Sequence, residues 1–157
     1  PGYFWCEWFE GDHQSVDFVK DNNQWVPLHA MSGKHENKNN LTKFIEWEVT
    51  KPEITLPDWL HDITTEKYLN VETRGGKIIE VHLRSGNNVA WDFKVGTKVI
   101  PVWKGVDYKE YDHLPFTTAR SWQQFVTSIN VQPFDKILDN ADGNMSDIRI
   151  GFYVNKK

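Results

Sequence analysis

The stretch NVETRGGKIIEVHLR, residues 70–84, decides the fold of this chain. Apolar and polar residues alternate on both sides of Gly75 and Gly76, which is typical of two antiparallel strands joined by a tight turn. We therefore predict a hairpin built from strands at Tyr68–Thr73 and Lys77–Leu83. Secondary structure for the rest of the chain is predicted outward from this hairpin.

The polar residues of the returning strand are predicted to form one row. Side chains two positions apart on a strand point the same way, so Glu80, His82 and Arg84 would share a face. The alternate residues would then point into the core: Ile79, Val81 and Leu83. Across the hairpin, Glu72 of the first strand is predicted to join the same polar row if the register is the natural one for the Gly75-Gly76 turn.

Two carboxylates and an imidazole beside a guanidinium can bind a metal ion with a phosphate group. Mg²⁺ prefers oxygen ligands and usually shares them with substrate phosphates, which suits Glu72 and Glu80. Arg84 would offset phosphate charge beside the ion. The alternative is a solvent-facing strand whose polar residues alternate outward and bind nothing, since alternation is the default of a half-buried strand.

Two further strands precede this hairpin. A second hairpin is predicted from Ser15–Lys20 and Gln24–Ala30, because a turn-prone Asp-Asn-Asn cluster separates two apolar-rich runs. The Gly-, Lys- and Asn-rich segment Ser32–Asn40 is predicted to be a mobile surface loop. Leu41–Val49 is compatible with a helix or a strand, and prolines on its far side confine the next helix to Asp58–Glu66.

The ends of the chain complete an α+β prediction. Tyr3–Phe9 is almost wholly apolar and is predicted to be a buried strand. Val99–Trp103 contains Pro101 and would lie at an edge or a bend if it is a strand. Thr117–Asn130 has helix-like spacing, and Ile148–Val154 alternates as a closing strand. The predicted fold is a largely antiparallel sheet flanked by helices.

Composition narrows the functional classes. With 157 residues, 39 % of them apolar and 25 % charged, the chain fits one globular domain over 1–157. The net charge of -4 comes from interspersed charges, which argues against a nucleic-acid partner. No run is long and apolar enough to predict a membrane span. The lone Cys6 cannot form an internal disulfide, which favours a cytoplasmic or otherwise intracellular location.

Other residues of interest have ordinary interpretations. His13, His29 and His35 are interpreted as structural or solvated, because scattered histidines usually are. The Gly-Gly-Lys at residues 75–77 lacks the preceding glycine and the following hydroxyl of a phosphate-binding loop, so it is interpreted as a turn.

The central stretch resembles the metal-binding hairpin of the ATP-grasp family. The resemblance implies that Glu72 and Glu80 are metal ligands and that Arg84 is a catalytic residue facing the phosphates. His82 would be a metal ligand at a position where the family has Asn. An imidazole is softer than an amide oxygen and suits Mg²⁺ less well, so either the metal preference differs or the site is altered.

A second stretch, FWCEWFEG at residues 4–11 with SVDF at 15–18, resembles the interlobe hinge of the same family. This resemblance implies nucleotide-binding residues. Glu7 and Trp8 would flank the adenine ring, Glu10 would reach the ribose hydroxyls, and Asp17 would lie on the strand beneath. The alternative is a buried aromatic strand bordered by Glu residues.

Together the two motifs imply an ATP-grasp-like lobe over about residues 3–92, with an extension over about 93–157. Its cofactors would be ATP and Mg²⁺, and an active enzyme would be an ATP-dependent carboxylate–amine ligase. The first lobe of such a domain is expected from the rest of a longer protein or from another chain, and the sequence given is expected to be a fragment.

Two rival functions stay open on the sequence. One is a non-catalytic structural or interaction module of a larger assembly, for instance a viral one, that reuses the fold. The other is a carbohydrate-binding surface built from Trp5, Trp47 and Trp103.

Overall fold

The computed structural model describes residues 7–37, 40–62, 66–84, 93–118 and 149–155. These residues form eight strands, one short helix and one 3₁₀ turn. The strands are β1 (His13–Asp21), β2 (Gln24–Asn37), β3 (Asn40–Thr50), β4 (Tyr68–Arg74), β5 (Lys77–His82), β6 (Lys98–Trp103), β7 (Phe116–Thr118) and β8 (Arg149–Asn155). The helix α1 is Trp59–Asp62, and the 3₁₀ turn is Lys109–Tyr111. Among the described residues no helix is long and apolar enough to cross a membrane.

The strands form one antiparallel sheet in the order β5-β4-β1-β2-β3-β6-β8-β7. β1 lies between its hairpin partner β2 and the much later β4, which it meets through seven residue pairs from His13↔Arg74 to Val19↔Tyr68. The β4–β5 hairpin is thereby attached at one edge. β6, β8 and β7 continue the sheet beyond β3, so the C-terminal strands extend the sheet that carries the central hairpin.

Both predicted hairpins are confirmed, and their turns have a clear local cause. Asn22 and Asn23 join β1 to β2 with φ of 46° and 63°. Gly75 and Gly76 join β4 to β5 with φ of 56° and 79°. Two consecutive residues with positive φ match the right-handed twist of paired strands, and Asn and Gly tolerate that conformation best.

One face of the sheet carries a hydrophobic core that lies under α1 and the segment before it. Leu60 of α1 is fully buried against this face, and the indole Nε1 of Trp25 donates a hydrogen bond to the Leu60 carbonyl oxygen at 3.2 Å. The core residues are Val16, Phe18, Trp25, Ala30, Leu56, Leu60, Leu69 and Val71. Burying a side chain of this size stabilises the fold by about 1.5–3 kcal/mol, so these residues anchor β1, β2 and β4 together.

The opposite face is divided between an apolar part and a polar part. Residues directly opposite in register share a face, and through the pairs Met31↔Val49 and Trp47↔Val99 the apolar part runs across β2, β3 and β6. All four of these side chains are buried. On β1, β4 and β5 the same face carries polar residues instead, and these form the candidate site.

The predicted α+β class is wrong. The described residues are mostly strand, and their one α-helix, Trp59–Asp62, has four residues. The apolar spacing after Pro57 predicted a longer helix, but the described turn serves mainly to bury Leu60 against the sheet. The predicted helix Thr117–Asn130 lies outside the described residues except for its first two, which belong to β7.

The predicted loop Ser32–Asn40 is also wrong, because β2 continues to Asn37 and β3 begins at Asn40. The glycine in this segment is there for packing. Gly33 pairs with Trp47, and a Cβ at Gly33 would overlap the rings of Phe44 and Trp47. The glycine that suggested a loop therefore makes room for two aromatic rings on a strand.

Three other predictions concern strands. Leu41–Val49 is a strand and not a helix. Pro101 lies on β6 past the last pair with β3, where β6 is paired only to β8, so a proline without an N–H is tolerated. The closing strand is confirmed as β8. For Tyr3–Phe9 the prediction is wrong where it can be compared, since residues 7–9 are not in a strand, and residues 3–6 lie outside the described residues.

Candidate functional site

Three of the predicted site residues meet on the β4–β5 hairpin. Glu72 on β4 pairs directly with Glu80 on β5, and two positions along the strands Asn70 pairs with His82. The alternating pleat puts Glu72, Glu80 and His82 on one face. We call these three residues the Glu72–Glu80–His82 cluster.

The side chains of the cluster converge. His82 Nε2 lies 3.5 Å from Glu80 Oε1 and 3.9 Å from Glu72 Oε1. One potential ligand atom from each residue lies within 4.8 Å of the other two. Glu72 and His82 are about a quarter exposed and Glu80 is 56 % exposed. The cluster is therefore accessible to solvent, although two of its side chains are mostly packed.

The prediction that Ile79, Val81 and Leu83 all point into the core is only partly right. The pairs next to the turn, Arg74↔Lys77 and Thr73↔Ile78, are regular, and a bulge at Ile79 then pairs Glu72 with Glu80. The natural register predicted for this turn therefore does not hold at Glu72. Val81 packs against the core as predicted, Ile78 packs there in place of Ile79, and Ile79 and Leu83 are exposed. A bulge breaks strict alternation, and the sequence carries no simple signal for it.

A buried histidine forms a hydrogen bond with Glu72. His13 of β1 is 6 % exposed, and its Nε2 lies 2.9 Å from Glu72 Oε2, across 59 residues of sequence. Burial raises the pKa of the Glu72 carboxyl, but the hydrogen bond from His13 and the positive charges of His13, His82 and Arg84 outweigh burial and lower that pKa overall. Glu72 is therefore ionised at neutral pH, and its second oxygen is left toward His82.

Arg84 lies just beyond β5, where its side chain is exposed. Its charge is close enough to contribute to lowering the pKa of Glu72, so the guanidinium borders the cluster electrostatically.

The predicted hinge residues lie against the turn of the same hairpin. The Gly75 N–H donates a hydrogen bond to the Asp12 carbonyl oxygen at 3.0 Å. Glu7 forms an exposed ion pair with Lys77 at 3.1 Å, and the Trp8 ring lies 5.6 Å from the Arg74 guanidinium. Glu10 is exposed.

Asp17, the fourth predicted nucleotide-binding residue, lies inside the sheet. Its side chain is fully buried, with Oδ2 2.7 Å from His29 Nε2, and Oδ1 accepts a hydrogen bond from Asn70 at 2.8 Å. Asn70 also donates to Ser15. These contacts tie β1 to β2 and β4 under the site, so Asp17 supports the strands and does not face a ligand.

Two basic residues beside His13 were not recognised in the sequence as part of the site. His35 lies with its ring centroid 5.3 Å from that of His13, and burial, assisted by the charges of His13 and Arg74, lowers the pKa of His35. The Nε and Nη1 atoms of Arg74 are buried without a hydrogen-bond partner among the described residues. The pairing of β1 with β4, His13↔Arg74, brings Arg74 beside His13 and has no local signal. His35 reaches His13 because β2 continues past Gly33, the residue opposite His13, through the segment predicted to be a loop.

Comparison of the chain with protein-family models, curated proteins and solved structures returned no match. Function is therefore inferred from the geometry of the site and from the two motif resemblances.

The donor atoms of the Glu72–Glu80–His82 cluster fit Mg²⁺ only in part. Glu72 and Glu80 supply carboxylate oxygens, which Mg²⁺ accepts. His82 supplies an imidazole nitrogen, which suits transition metals better than Mg²⁺. The two carboxylates fit a magnesium site and the third residue does not.

The carbohydrate-binding alternative loses one of its three residues. Trp47 is 7 % exposed and stacks on Phe44 with ring centroids 4.0 Å apart, while Trp103 donates its indole N–H to the Phe44 carbonyl oxygen. Trp5 lies outside the described residues. A row of exposed tryptophans on these positions would require Trp47 to leave the core.

Proposed function

We propose that this chain is an ATP-grasp-like lobe of a carboxylate–amine ligase type protein, and that it binds a nucleoside triphosphate together with a divalent cation. The observation that carries this proposal is the convergence of Glu72, Glu80 and His82 beside Arg84. A bound cation would offset the negative charge of phosphate oxygens. Arg84 would bind the same phosphates from the side, and ATP is the expected nucleotide because of the hinge-like motif.

The position of the segment at residues 7–12 supports a nucleotide rather than a free ion. Trp8 contacts Arg74, and Arg74 is two residues from Glu72 along β4, a rise of about 7 Å. Trp8 is 64 % exposed and can offer its ring to a base. An exposed aromatic ring that contacts this hairpin and an acidic cluster on it therefore lie within about the length of one nucleotide of each other.

The charge distribution agrees with this orientation. Arg74 lies between Trp8 and the cluster, Arg84 lies beside the cluster, and Lys77 follows the turn. A triphosphate placed along the hairpin would meet positive side chains on both sides of the cation. Arg–phosphate hydrogen bonds are charge-assisted and about twice as strong as neutral ones.

The proposal is tested by titrating ATP with a divalent cation into isotopically labelled protein and following the backbone amide shifts by NMR. We expect saturable shifts on β4, β5 and residues 7–12. Glu80→Gln should weaken binding at least about tenfold, or about 1.4 kcal/mol. Because Glu80 is 56 % exposed, its replacement should leave folding intact.

Glu53→Gln is the matched control, since this exposed glutamate follows β3 and lines a polar pocket with Gln14 and Thr50 of the opposite face. It should bind ATP as the unaltered chain does. Equal affinities in Glu80→Gln and the unaltered chain, or no shifts in the unaltered chain, would contradict the proposal.

A specific surface favours the alternative of a non-catalytic interaction module. Tyr108, Tyr111, Tyr153 and Phe116 form a row of rings with neighbouring centroids 6.3, 6.2 and 5.3 Å apart, and Phe116 is 47 % exposed. Aromatic side chains are enriched at protein interfaces. If the ATP titration produces no shifts, this alternative becomes the better explanation.

A further inference from the structure

We infer that the Glu72–Glu80–His82 cluster selects a first-row transition-metal dication of the Zn²⁺ type in preference to Mg²⁺. This inference rests on the proposed function, because it names the cation of the same site. It does not follow from the family resemblance, which implies Mg²⁺ and an amide oxygen where this chain has His82.

The chemistry of the donors is the first argument. Mg²⁺ requires near-ideal octahedral oxygen coordination and gives up its water reluctantly. Zn²⁺ is borderline soft, and imidazole nitrogen and carboxylate oxygen are both common ligands for it. Replacing one oxygen donor by the His82 nitrogen therefore favours Zn²⁺ over Mg²⁺ at an otherwise unchanged pair of carboxylates.

The separation of the donor atoms is the second argument. Ligands about 2.05 Å from a tetrahedral Zn²⁺ lie about 3.3 Å apart, whereas adjacent ligands of an octahedral Mg²⁺ at about 2.05 Å lie about 2.9 Å apart. The distances from His82 Nε2 to the nearer oxygens of Glu80 and Glu72 are 3.5 and 3.9 Å. Both distances are nearer to the tetrahedral value.

The support of the ligands is the third argument. His13, which is buried, binds one oxygen of Glu72 at 2.9 Å and leaves the other toward His82. Outer hydrogen bonds of this kind orient the ligands in metal sites and commonly change metal affinity by about 10–100-fold. Three protein ligands would then leave a fourth position of a tetrahedral ion for a phosphate oxygen or water.

The experiment measures Zn²⁺ and Mg²⁺ affinity separately, without nucleotide, in the unaltered chain and in His82→Asn. Zn²⁺ is measured by competition with a chromophoric chelator, and Mg²⁺ by calorimetry. We expect His82→Asn to lose at least about tenfold in Zn²⁺ affinity, because a direct ligand should matter at least as much as an outer one. Its Mg²⁺ affinity should stay the same or rise, because asparagine restores an oxygen donor.

Two further measurements connect the result to this site. The imidazole ¹⁵N signals of the unaltered chain should show Zn²⁺ binding at the His82 ring nitrogen. His61→Asn is the matched control, since His61 is on α1, which packs against the opposite face of the sheet, and its Zn²⁺ affinity should be unchanged. His82→Gln is measured in parallel, so that the result does not depend on the folding of one variant.

The possible results separate the two proposals. If His82→Asn and His82→Gln keep the full preference for Zn²⁺ while ATP binding still depends on Glu80, the inference is wrong and the proposed function stands. Binding of Mg²⁺ as tight as that of Zn²⁺ in the unaltered chain also overturns the inference alone. If neither ion binds the unaltered chain without nucleotide, the inference is wrong, and the ATP titration alone decides the proposed function.

Discussion

The contact between the segment at residues 7–12 and the β4–β5 turn can be tested with two neighbouring glycines. Gly75 and Gly76 both have positive φ, so alanine at either position is strained by about 1–2 kcal/mol. Their surroundings differ. A Cβ at Gly75 would overlap the Glu10 carbonyl oxygen, whereas a Cβ at Gly76 has no heavy atom within 4 Å.

This difference sets the expected magnitudes. Gly76→Ala should lower the free energy of unfolding by about 1 kcal/mol, because backbone strain is partly offset by a less flexible unfolded chain. Gly75→Ala has the same strain and adds an overlap with backbone, which costs about 1–3 kcal/mol more. Moving the segment away would relieve the overlap, but it would weaken the hydrogen bond from the Gly75 N–H to Asp12, which is worth about 1 kcal/mol.

The assay is urea unfolding of both variants beside the unaltered chain, followed by far-UV circular dichroism. We expect Gly75→Ala to be less stable than Gly76→Ala by about 1–3 kcal/mol. ATP affinity should also fall more in Gly75→Ala, because the segment carrying Trp8 is displaced. Equal unfolding midpoints and equal slopes for the two variants would refute the packing of this segment on the turn.

Two other predictions concern the core and the pH dependence of stability. Leu60→Ala should lower the free energy of unfolding by about 2–5 kcal/mol, because Leu60 is fully buried, while the neighbouring Trp59→Ala, 56 % exposed, should cost less than half as much in the same urea experiment. In the folded state the pKa of His35 is lowered by burial and by the charges of His13 and Arg74. The stability that neutral His35 contributes is therefore fully present above its ordinary pKa of 6.5. It is lost as pH falls below that value toward the folded-state pKa. The free energy of unfolding should therefore fall more steeply between pH 7.5 and 5 in the unaltered chain than in His35→Phe. Parallel curves for the two proteins would contradict the lowered pKa.

The candidate site was partly predictable because its ligands belong to one hairpin. The Gly75-Gly76 turn and the alternation around it are local signals that put Glu80 and His82 on one face of β5. A regular register from the pair Arg74↔Lys77 would place Glu72 opposite Ile79, and the bulge at Ile79 places it opposite Glu80 instead. That bulge was not predictable, and it exposes Ile79, which alternation assigned to the core. A bulge depends on how the two strands twist together and not on residue type alone.

The predicted loop failed because composition was used in place of packing. Ser32–Asn40 has the composition of a loop, yet Gly33 is needed for close packing of Phe44 and Trp47 on a strand. For α1, apolar spacing was the misleading signal. Its apolar spacing is helical, but the described turn is four residues long and buries only Leu60.

By itself the sequence determined the two hairpins, the place of their turns and the shared face of Glu80 and His82, because turn conformation and side-chain alternation depend on residues close together in the chain. Only the tertiary structure decided that β4 pairs with β1. That pairing joins residues 49 to 61 positions apart, places His13 under Glu72, and buries Asp17 against Asn70. Long-range pairing is chosen by the burial of whole strand faces, so no short stretch of residues encodes it.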